Sequence, residues 1–298
     1  MGSKLEKVIA KELVPKQSFP TWLKKSVQFE GVHGSTAYGT SNDLSDMDIY
    51  GFCVPPKDLV FPHTAGKIWG YDKIQGFEQW QQHGIKDLEH RVGKQDEYDF
   101  TIYGIIKYFK LCKDNNPNMV DSLFLPSDCI LFATPLAGMV LSNRRIFLHK
   151  GSYHKFRGYL HAQMSKLSRQ PTGKRKETVE KYGFDTKYAA HACRLADECE
   201  QILEFGDLDL RRSKEHQKAV RKGEIPLDDI RKWLMEKERS LDKLYETSKL
   251  PHTAPEAKIK QLLVDCLEMH FGNLSDAEII NPDKNTNIIN RIKEILGD

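Results

Sequence analysis

The pattern of apolar and polar positions changes near the middle of the chain. In the first half, short apolar or alternating runs bounded by Gly, Pro and Asn predict strands, at residues 25–32, 47–54 and 98–103. Helices are expected between these strands, at residues 3–15, 104–112, 117–124 and 136–148. From about residue 151 the spacing becomes that of amphipathic helices, at residues 154–167, 185–205, 227–248 and 254–271. The pattern therefore predicts an α/β N-terminal half and an all-helical C-terminal half.

Two segments do not follow these patterns. Residues 57–95 mix short apolar pieces with charge and receive no assignment. Residues 168–178, SRQPTGKRKET, combine Pro and Gly with a basic run and are expected to form an exposed loop.

Composition is that of an ordinary globular protein, with 298 residues, 39% hydrophobic and 29% charged. No apolar run is long enough to span a membrane, and the N-terminus lacks the apolar core of a signal peptide. We therefore expect a cytoplasmic protein without membrane association. The six cysteines form no CxxC pair and lie mostly among apolar residues, which indicates reduced, buried thiols.

Charge is nearly balanced overall, with 45 basic and 42 acidic residues and a net charge of +3. Two local runs are strongly basic. Residues 166–181 carry six basic residues against two acidic, and residues 211–222 carry six against one. Such runs can bind phosphates, but solvated helix faces and loops account for them equally well.

The candidate chemistry lies between the first two predicted strands. Gly34 and Ser35 follow the first strand, and Asp46 and Asp48 begin the second. Because strand side chains alternate, the two carboxylates project from one face, where they repel each other unless a divalent ion lies between them. Carboxylate oxygens suit Mg²⁺ or Mn²⁺, and glycine lets the backbone approach a phosphate closely. A phosphate-binding turn beside metal-binding carboxylates favours phosphoryl or nucleotidyl transfer.

A lone Asp-x-Asp pair is common in solvated loops, so the specificity comes from its surroundings. The stretch GSTAYGTSNDLSDMDIYGF, at 34–52, resembles the signature of DNA polymerase β-type nucleotidyltransferases, and in particular the predicted RNA-repair-associated family of bacteria and phages. The runs YDFTIYGIIKYFKLCKDNNPNMVDSLF, at 98–124, and KYGFDTKYAAHACRLADECEQILEFGDLDL, at 181–210, are similar to that family as well. The resemblance covers roughly residues 26–255.

This resemblance implies an α+β fold with two parts. A polymerase β-like nucleotidyltransferase domain, residues 1–150, would contain a small mixed sheet with helices. An all-helical domain, residues 151–298, would close the cleft and contribute phosphate and acceptor contacts. The resemblance also places a third carboxylate on a later strand, at Asp99. Asp96 lies three residues away and could be confused with it, and a strand-edge carboxylate facing water is the alternative for Asp99 itself.

The helix that starts at Asp185 is the second candidate region. Asp185 is suited to cap it, and Lys187, His191 and Arg194 fall on one face at i, i+4 and i+7. A face of three cations would suit a triphosphate or an RNA backbone, and the family resemblance supports that reading. The alternative is that Glu198, one turn beyond Arg194, simply pairs with it.

The implied enzyme transfers a nucleoside monophosphate from an NTP to an acceptor hydroxyl. Asp46, Asp48 and Asp99 would hold two Mg²⁺ or Mn²⁺ ions, while Gly34, Ser35, Lys187, His191 and Arg194 would bind the nucleotide. RNA is the expected acceptor. A small molecule or a protein side chain is the first alternative, and a non-catalytic nucleotide- or RNA-binding module on the same fold is the second.

Overall fold

The computed structural model describes residues 2–41, 47–87, 97–167, 170, 173–272 and 293. Five strands lie in this part of the chain: β1 (Val27–Val32), β2 (Met47–Cys53), β3 (Gln79–Lys86), β4 (Glu97–Gly104) and β5 (Ile130–Ala133). The helices of the first half are α1 (Lys4–Ala10), α2 (Leu23–Ser26), α3 (Gly34–Ala37), α4 (Lys57–Val60), α5 (Ile105–Lys113), α6 (Pro117–Leu123) and α7 (Pro135–Ser142). The second half is helical where described: α8 (Gly151–Lys166), α9 (Lys174–Tyr182), α10 (Thr186–Phe205), α11 (Lys214–Arg221), α12 (Leu227–Thr247) and α13 (Glu256–Phe271).

The strands form one mixed sheet in the order β3-β4-β2-β1-β5. β2 and β4 pair in parallel, whereas the other neighbouring pairs are antiparallel. Helix α5 follows β4 directly, and the interiors of the central strands are fully buried, as at Phe29, Ile49, Phe100 and Ile102. The two parallel strands at the centre therefore have a partner on each side, which fixes their register.

The N-terminal helix is attached to this sheet through a buried carboxylate. Glu30, in the middle of β1, is fully buried and accepts hydrogen bonds from the backbone N–H groups of Lys4 and Leu5, the latter at 2.9 Å. These N–H groups belong to the first turn of α1, where no carbonyl of the helix can accept them. Glu30 thus fixes the start of α1 against the sheet.

Helix α10 is the centre of the helical half and packs against α8, α11 and α12. Its expected apolar stripe is confirmed, because the following residues are all at most 1% exposed: Ala189, Ala192, Ala196, Cys199 and Leu203. The expected cap is confirmed as well, since the Asp185 side chain accepts from the backbone N–H groups of Lys187 and Tyr188. The main apolar cluster contains residues from both halves, from Phe29 to Leu267.

The predicted strands at 25–32, 47–54 and 98–103 are confirmed to within two residues as β1, β2 and β4. The predicted helix over 3–15 is too long, because Glu12 has a left-handed φ of 57° and α1 has ended by then. The helix predicted over 136–148 is α7 followed by a 3₁₀ turn at Arg144–Phe147.

The expected loop at 168–178 is wrong from Lys174 onward, where α9 begins. Gly173 precedes this helix and Gly183 ends it, both with positive φ, so the two glycines bound a run of good helix formers. Strands β3 and β5 and helix α11 were not predicted. The expectation for the cysteines is confirmed, since all six are free and buried. None of the described helices combines the length and apolarity of a membrane span.

Candidate active site

A glycine turn joins β1 to the carboxylate strand. Gly34 follows His33 at the end of β1, has φ +65° and starts the short helix α3. The backbone N–H of His33 donates to the carbonyl of Asp48 at 2.7 Å, which ties the turn to β2. A Cβ atom added at Gly34 would lie 2.5 Å from Oδ2 of Asp48. The carboxylate of Asp48 therefore lies against the bare backbone of the turn. The φ angle favours glycine, and any Cβ at this position would force the Asp48 carboxylate to move.

Asp48 and Asp99 are direct neighbours across the parallel pair β2–β4. Adjacent strands are about 4.8 Å apart, and register partners point to the same face, so the two carboxylates project side by side. This is the arrangement expected for the second and third acidic residues. Asp46 and the competing Asp96 lie outside the described residues.

Asp99 also contacts strand β3 on its other side. Its Oδ1 accepts from the backbone N–H of Gly84 at 2.8 Å, and its Oδ2 lies 3.2 Å from Nδ1 of His83. Because the Asp99 side chain is only 29% exposed and engaged by β3, it does not match the alternative of a strand-edge carboxylate facing water. His83 was missed from the sequence, where residues 57–95 gave no assignable pattern.

An aromatic pair lies beside the carboxylates. His33 and Tyr50 stack with ring centroids 4.5 Å apart, and the rings of Tyr50 and Tyr103 are nearly perpendicular with centroids 6.4 Å apart. Burial, followed by the negative charge of Asp48, raises the pKa of Tyr50 to about 12, so its hydroxyl stays protonated. Burial and the positive charge of Arg194 lower the pKa of His33 to about 3, so that ring is neutral.

Arg194 is at the centre of a buried ionic cluster. Its Nη1 donates to Oδ2 of Asp121 at 2.6 Å and to Oε1 of Glu198 at 2.9 Å, and its guanidinium lies 4.3 Å from the ring centroid of Tyr38. The Tyr38 hydroxyl donates to the same Oδ2 of Asp121 at 2.7 Å. The side chain of Arg194 is only 7% exposed, so the alternative of pairing with Glu198 is confirmed. We name Tyr38, Asp121, Arg194 and Glu198 the buried ionic cluster.

The three basic residues of α10 differ in charge and exposure. Lys187 is exposed, His191 is partly buried and Arg194 is buried. Burial, with the neighbouring charges of Arg194, Lys187, Arg221 and Lys166, lowers the pKa of His191 to about 3. The expectation of three cations on one open face is therefore wrong: His191 is neutral and Arg194 is enclosed, because tertiary contacts bury one side of this part of the helix.

The donor atoms of this site fit a hard divalent cation. Asp48 and Asp99 offer carboxylate oxygens side by side, and the carboxylate of Asp48 lies directly against the backbone of the Gly34 turn, with no side chain between them. Ser35 lies half-buried on the same turn. Within the described ranges no group of three His, Cys, Asp or Glu residues is arranged to hold a metal ion, and the expected third ligand, Asp46, lies outside those ranges.

Two comparisons with single proteins give distant similarities. An uncharacterized 38.9 kDa protein from the nrdC-mobD intergenic region of Enterobacteria phage T4 is 25% identical over 137 residues. That match covers 45% of this chain and 36% of the phage protein, so it spans little more than a third of the relative. A nucleotidyltransferase-like protein from Exiguobacterium sibiricum aligns over 82% of this chain and 75% of its own, with 9% identity and a TM-score of 0.28.

A comparison with protein families covers far more of the chain and confirms the resemblance seen in the sequence. The matching family is described as the RNA repair pathway DNA polymerase beta family, RlaP, and its model spans both the sheet and most of the helical half. With residues 3–269 matched, the chain belongs to this family.

Proposed function

We propose that this protein is a metal-dependent nucleotidyltransferase that moves a nucleoside monophosphate from an NTP to a hydroxyl of RNA, with pyrophosphate as the leaving group. The observation that supports this proposal most directly is the adjacency of Asp48 and Asp99 beside the Gly34 turn. Carboxylate oxygens that lie side by side are the ligands that a hard divalent cation prefers, which supports a metal-binding role for this pair.

The residues have separate roles in this proposal. Asp46, Asp48 and Asp99 hold two Mg²⁺ or Mn²⁺ ions, which supply charge neutralisation for the attacking and leaving oxygens. Asp99 also accepts the proton of the acceptor hydroxyl.

A second set of residues binds the phosphates of the NTP. Gly34 and Ser35 approach the phosphates through the turn, and Lys187 and His191 contact them from α10, His191 as a neutral hydrogen-bonding group. Arg194 supports nucleotide binding indirectly, because it positions Tyr38 at the end of α3.

RNA is proposed as the acceptor because the family's description places it in an RNA repair pathway. In this scheme residues 1–150 carry the metal site, and residues 151–298 close the cleft and contact the phosphates and the acceptor. A role in RNA end repair or processing in the cytoplasm follows from the same proposal.

A transfer assay with the full chain tests the proposed function. The protein is incubated with Mg²⁺ or Mn²⁺, total RNA and each α-labelled NTP in turn, and label is expected to enter RNA. Label transfer should disappear in Asp48→Asn and Asp99→Asn, with circular dichroism unchanged. Asp229→Asn is the matched control, because it removes one carboxylate charge from the exposed start of α12.

Other outcomes of the same assay distinguish the alternatives. Label in a small molecule or in a protein would overturn the RNA acceptor but retain the transferase. Label in no acceptor with either metal would favour a nucleotide- or RNA-binding module. Full activity in Asp48→Asn would contradict the metal assignment.

A further inference from the structure

The two basic runs of the sequence meet at the first half of α10. From the first run, Nζ of Lys166 lies 5.2 Å and Cζ of Arg175 lies 4.5 Å from the ring centroid of Tyr188, and Arg175 also hydrogen-bonds the Tyr188 hydroxyl. From the second run, Arg221 ends α11, which packs against α10, and its charge acts on His191. Positions more than forty residues apart in sequence thus form one surface. We name Lys166, Arg175, Lys187 and Arg221 the basic cluster.

The acidic partner of this cluster is already engaged. Asp185 accepts from the backbone N–H groups of Lys187 and Tyr188 at 3.0 and 3.2 Å, and Arg175 lies 3.9 Å from its other oxygen. Among the residues that the structure describes, Lys166, Lys187 and Arg221 have no carboxylate oxygen within 4.0 Å. Asp185 therefore acts on Arg175 and Arg221, while Lys166 and Lys187 have no such carboxylate neighbour among the described residues, and this local excess of positive charge favours the binding of an anion.

The neutral imidazole of His191 is consistent with this excess. Its lowered pKa follows first from burial and then from four neighbouring cations, of which Lys187, Arg221 and Lys166 belong to the basic cluster. The surroundings of His191 thus already disfavour a further positive charge.

The distribution of the charges indicates the class of anion. The cluster takes its members from four helices, α8 to α11, instead of from the backbone N–H groups of one helix N-terminus, which are typical of a single-phosphate site. A polyanion with many phosphates can contact members on several of these helices. An aromatic ring between basic side chains is also typical of single-stranded nucleic acid surfaces.

The cluster lies close enough to the candidate active site to serve the same strand. Lys187 and Arg194 are seven residues apart on α10, which corresponds to about 10 Å of helix. Arg194 contacts Tyr38 at the end of the Gly34 turn. We propose that the basic cluster binds the phosphate backbone of single-stranded RNA, with Lys187 shared between that strand and the NTP phosphates; the further use of the cluster, to direct the strand toward Asp48 and Asp99, rests on the proposed function.

Two variants test the inference, one for each basic run. Lys166→Ala/Arg175→Ala removes two charges of the first run, and Arg221→Gln removes one of the second. Lys258→Ala/Lys260→Ala is the matched control, because it removes two exposed lysines from α13, which packs against α5 and α7 instead. Arg221 is partly buried, so the fold of Arg221→Gln is checked by thermal unfolding. If Arg221→Gln does not fold, the RNA affinity of Lys166→Ala/Arg175→Ala alone tests the inference.

Binding is measured without nucleotide, by fluorescence anisotropy of a labelled single-stranded 20-nucleotide RNA over a series of salt concentrations. We expect the Kd of the double variant to rise about tenfold near 0.15 M salt. The slope of log K against log salt should become shallower by about 0.7 for each RNA phosphate that the variant no longer neutralises. Arg221→Gln should change both values in the same direction, and the α13 control should leave them unchanged.

A second measurement distinguishes the source of the phosphate. Binding of each of the four NTPs with Mg²⁺ should be equal in wild type and in Lys166→Ala/Arg175→Ala. Loss of NTP binding with RNA binding retained would assign the cluster to the triphosphate and overturn the inference. The inference would also be overturned if both variants bound RNA with wild-type affinity, or if the wild-type protein bound no RNA. If wild type transfers no label but the variants weaken RNA binding, the proposed function fails and this inference holds.

Discussion

Substitution of Gly34 by alanine isolates the contact between the glycine turn and Asp48. The added Cβ would lie 2.5 Å from Oδ2 of Asp48, whereas Cβ contacts under 3.0 Å are essentially never seen. The two groups must therefore separate by at least 0.5 Å, and an ordinary contact at 3.4 Å requires 0.9 Å. The left-handed φ of +65° adds a backbone penalty of about 1–2 kcal/mol for any residue with a Cβ.

We expect the alanine variant to lose activity far beyond its loss of stability. A displacement near 1 Å at a reacting group can lower a rate by about 10²-fold, while the backbone penalty lowers the free energy of unfolding by about 1–2 kcal/mol. Label transfer at saturating Mg²⁺ measures the first effect, and urea denaturation measures the second.

Gly66→Ala is the matched control for this experiment. Gly66 has a similar φ of +74°, but no described atom lies within 4 Å of its added Cβ. It should show the same loss of stability with nearly unchanged transfer. If both variants lose stability equally and both retain activity, the position of the Asp48 carboxylate does not matter for the reaction, and the reasoning from the turn fails.

Two further predictions concern buried charges. Burial raises the pKa of Glu30 from 4.5 to about 7. Between these pH values Glu30 is protonated in the folded state and ionised in the unfolded state. The free energy of unfolding should therefore fall as the pH rises from 4.5 to 7, by up to about 3 kcal/mol. Glu30→Gln should abolish this part of the pH dependence in urea denaturation, and a profile equal to that of wild type would contradict it. Arg194→Ala should lower the unfolding free energy by about 3–5 kcal/mol, because it leaves the carboxylates of Asp121 and Glu198 buried and unpaired. Lys187→Ala, on the exposed face of the same helix, should change it by less than about 0.5 kcal/mol; similar effects of the two variants would argue against the buried ionic cluster.

The sheet was predictable where a strand carries its own pattern. β1, β2 and β4 are largely apolar and bounded by Gly or Pro. β3 has the sequence QWQQHGIK and is mostly exposed, so its apolar and polar positions do not show the pattern of a strand even though it pairs with β4. β5 is only four residues long, too short for alternation to be distinctive.

The candidate site was predictable where its residues lie in one motif. Gly34 and Asp48 follow from a local pattern of turn and strand, and the structure brings them together. Arg194 shows which feature of the site could not be predicted from the sequence. Its partner Asp121 lies 73 residues away in sequence, so helical periodicity could place Arg194 on a face but could not show that the face is covered. Whether a charge is open or enclosed depends on tertiary packing.

The buried ionic cluster has a mechanical consequence. Tyr38 at the end of α3, Asp121 on α6 and Arg194 on α10 share one set of hydrogen bonds closed off from solvent. Rotating the helices of the second half as a unit would pull the Gly34 turn along with them, or would separate Arg194 from Asp121 and leave that buried carboxylate without its counter-ion. We therefore expect closure of the cleft by the second half to leave the contact between α10 and the glycine turn in place.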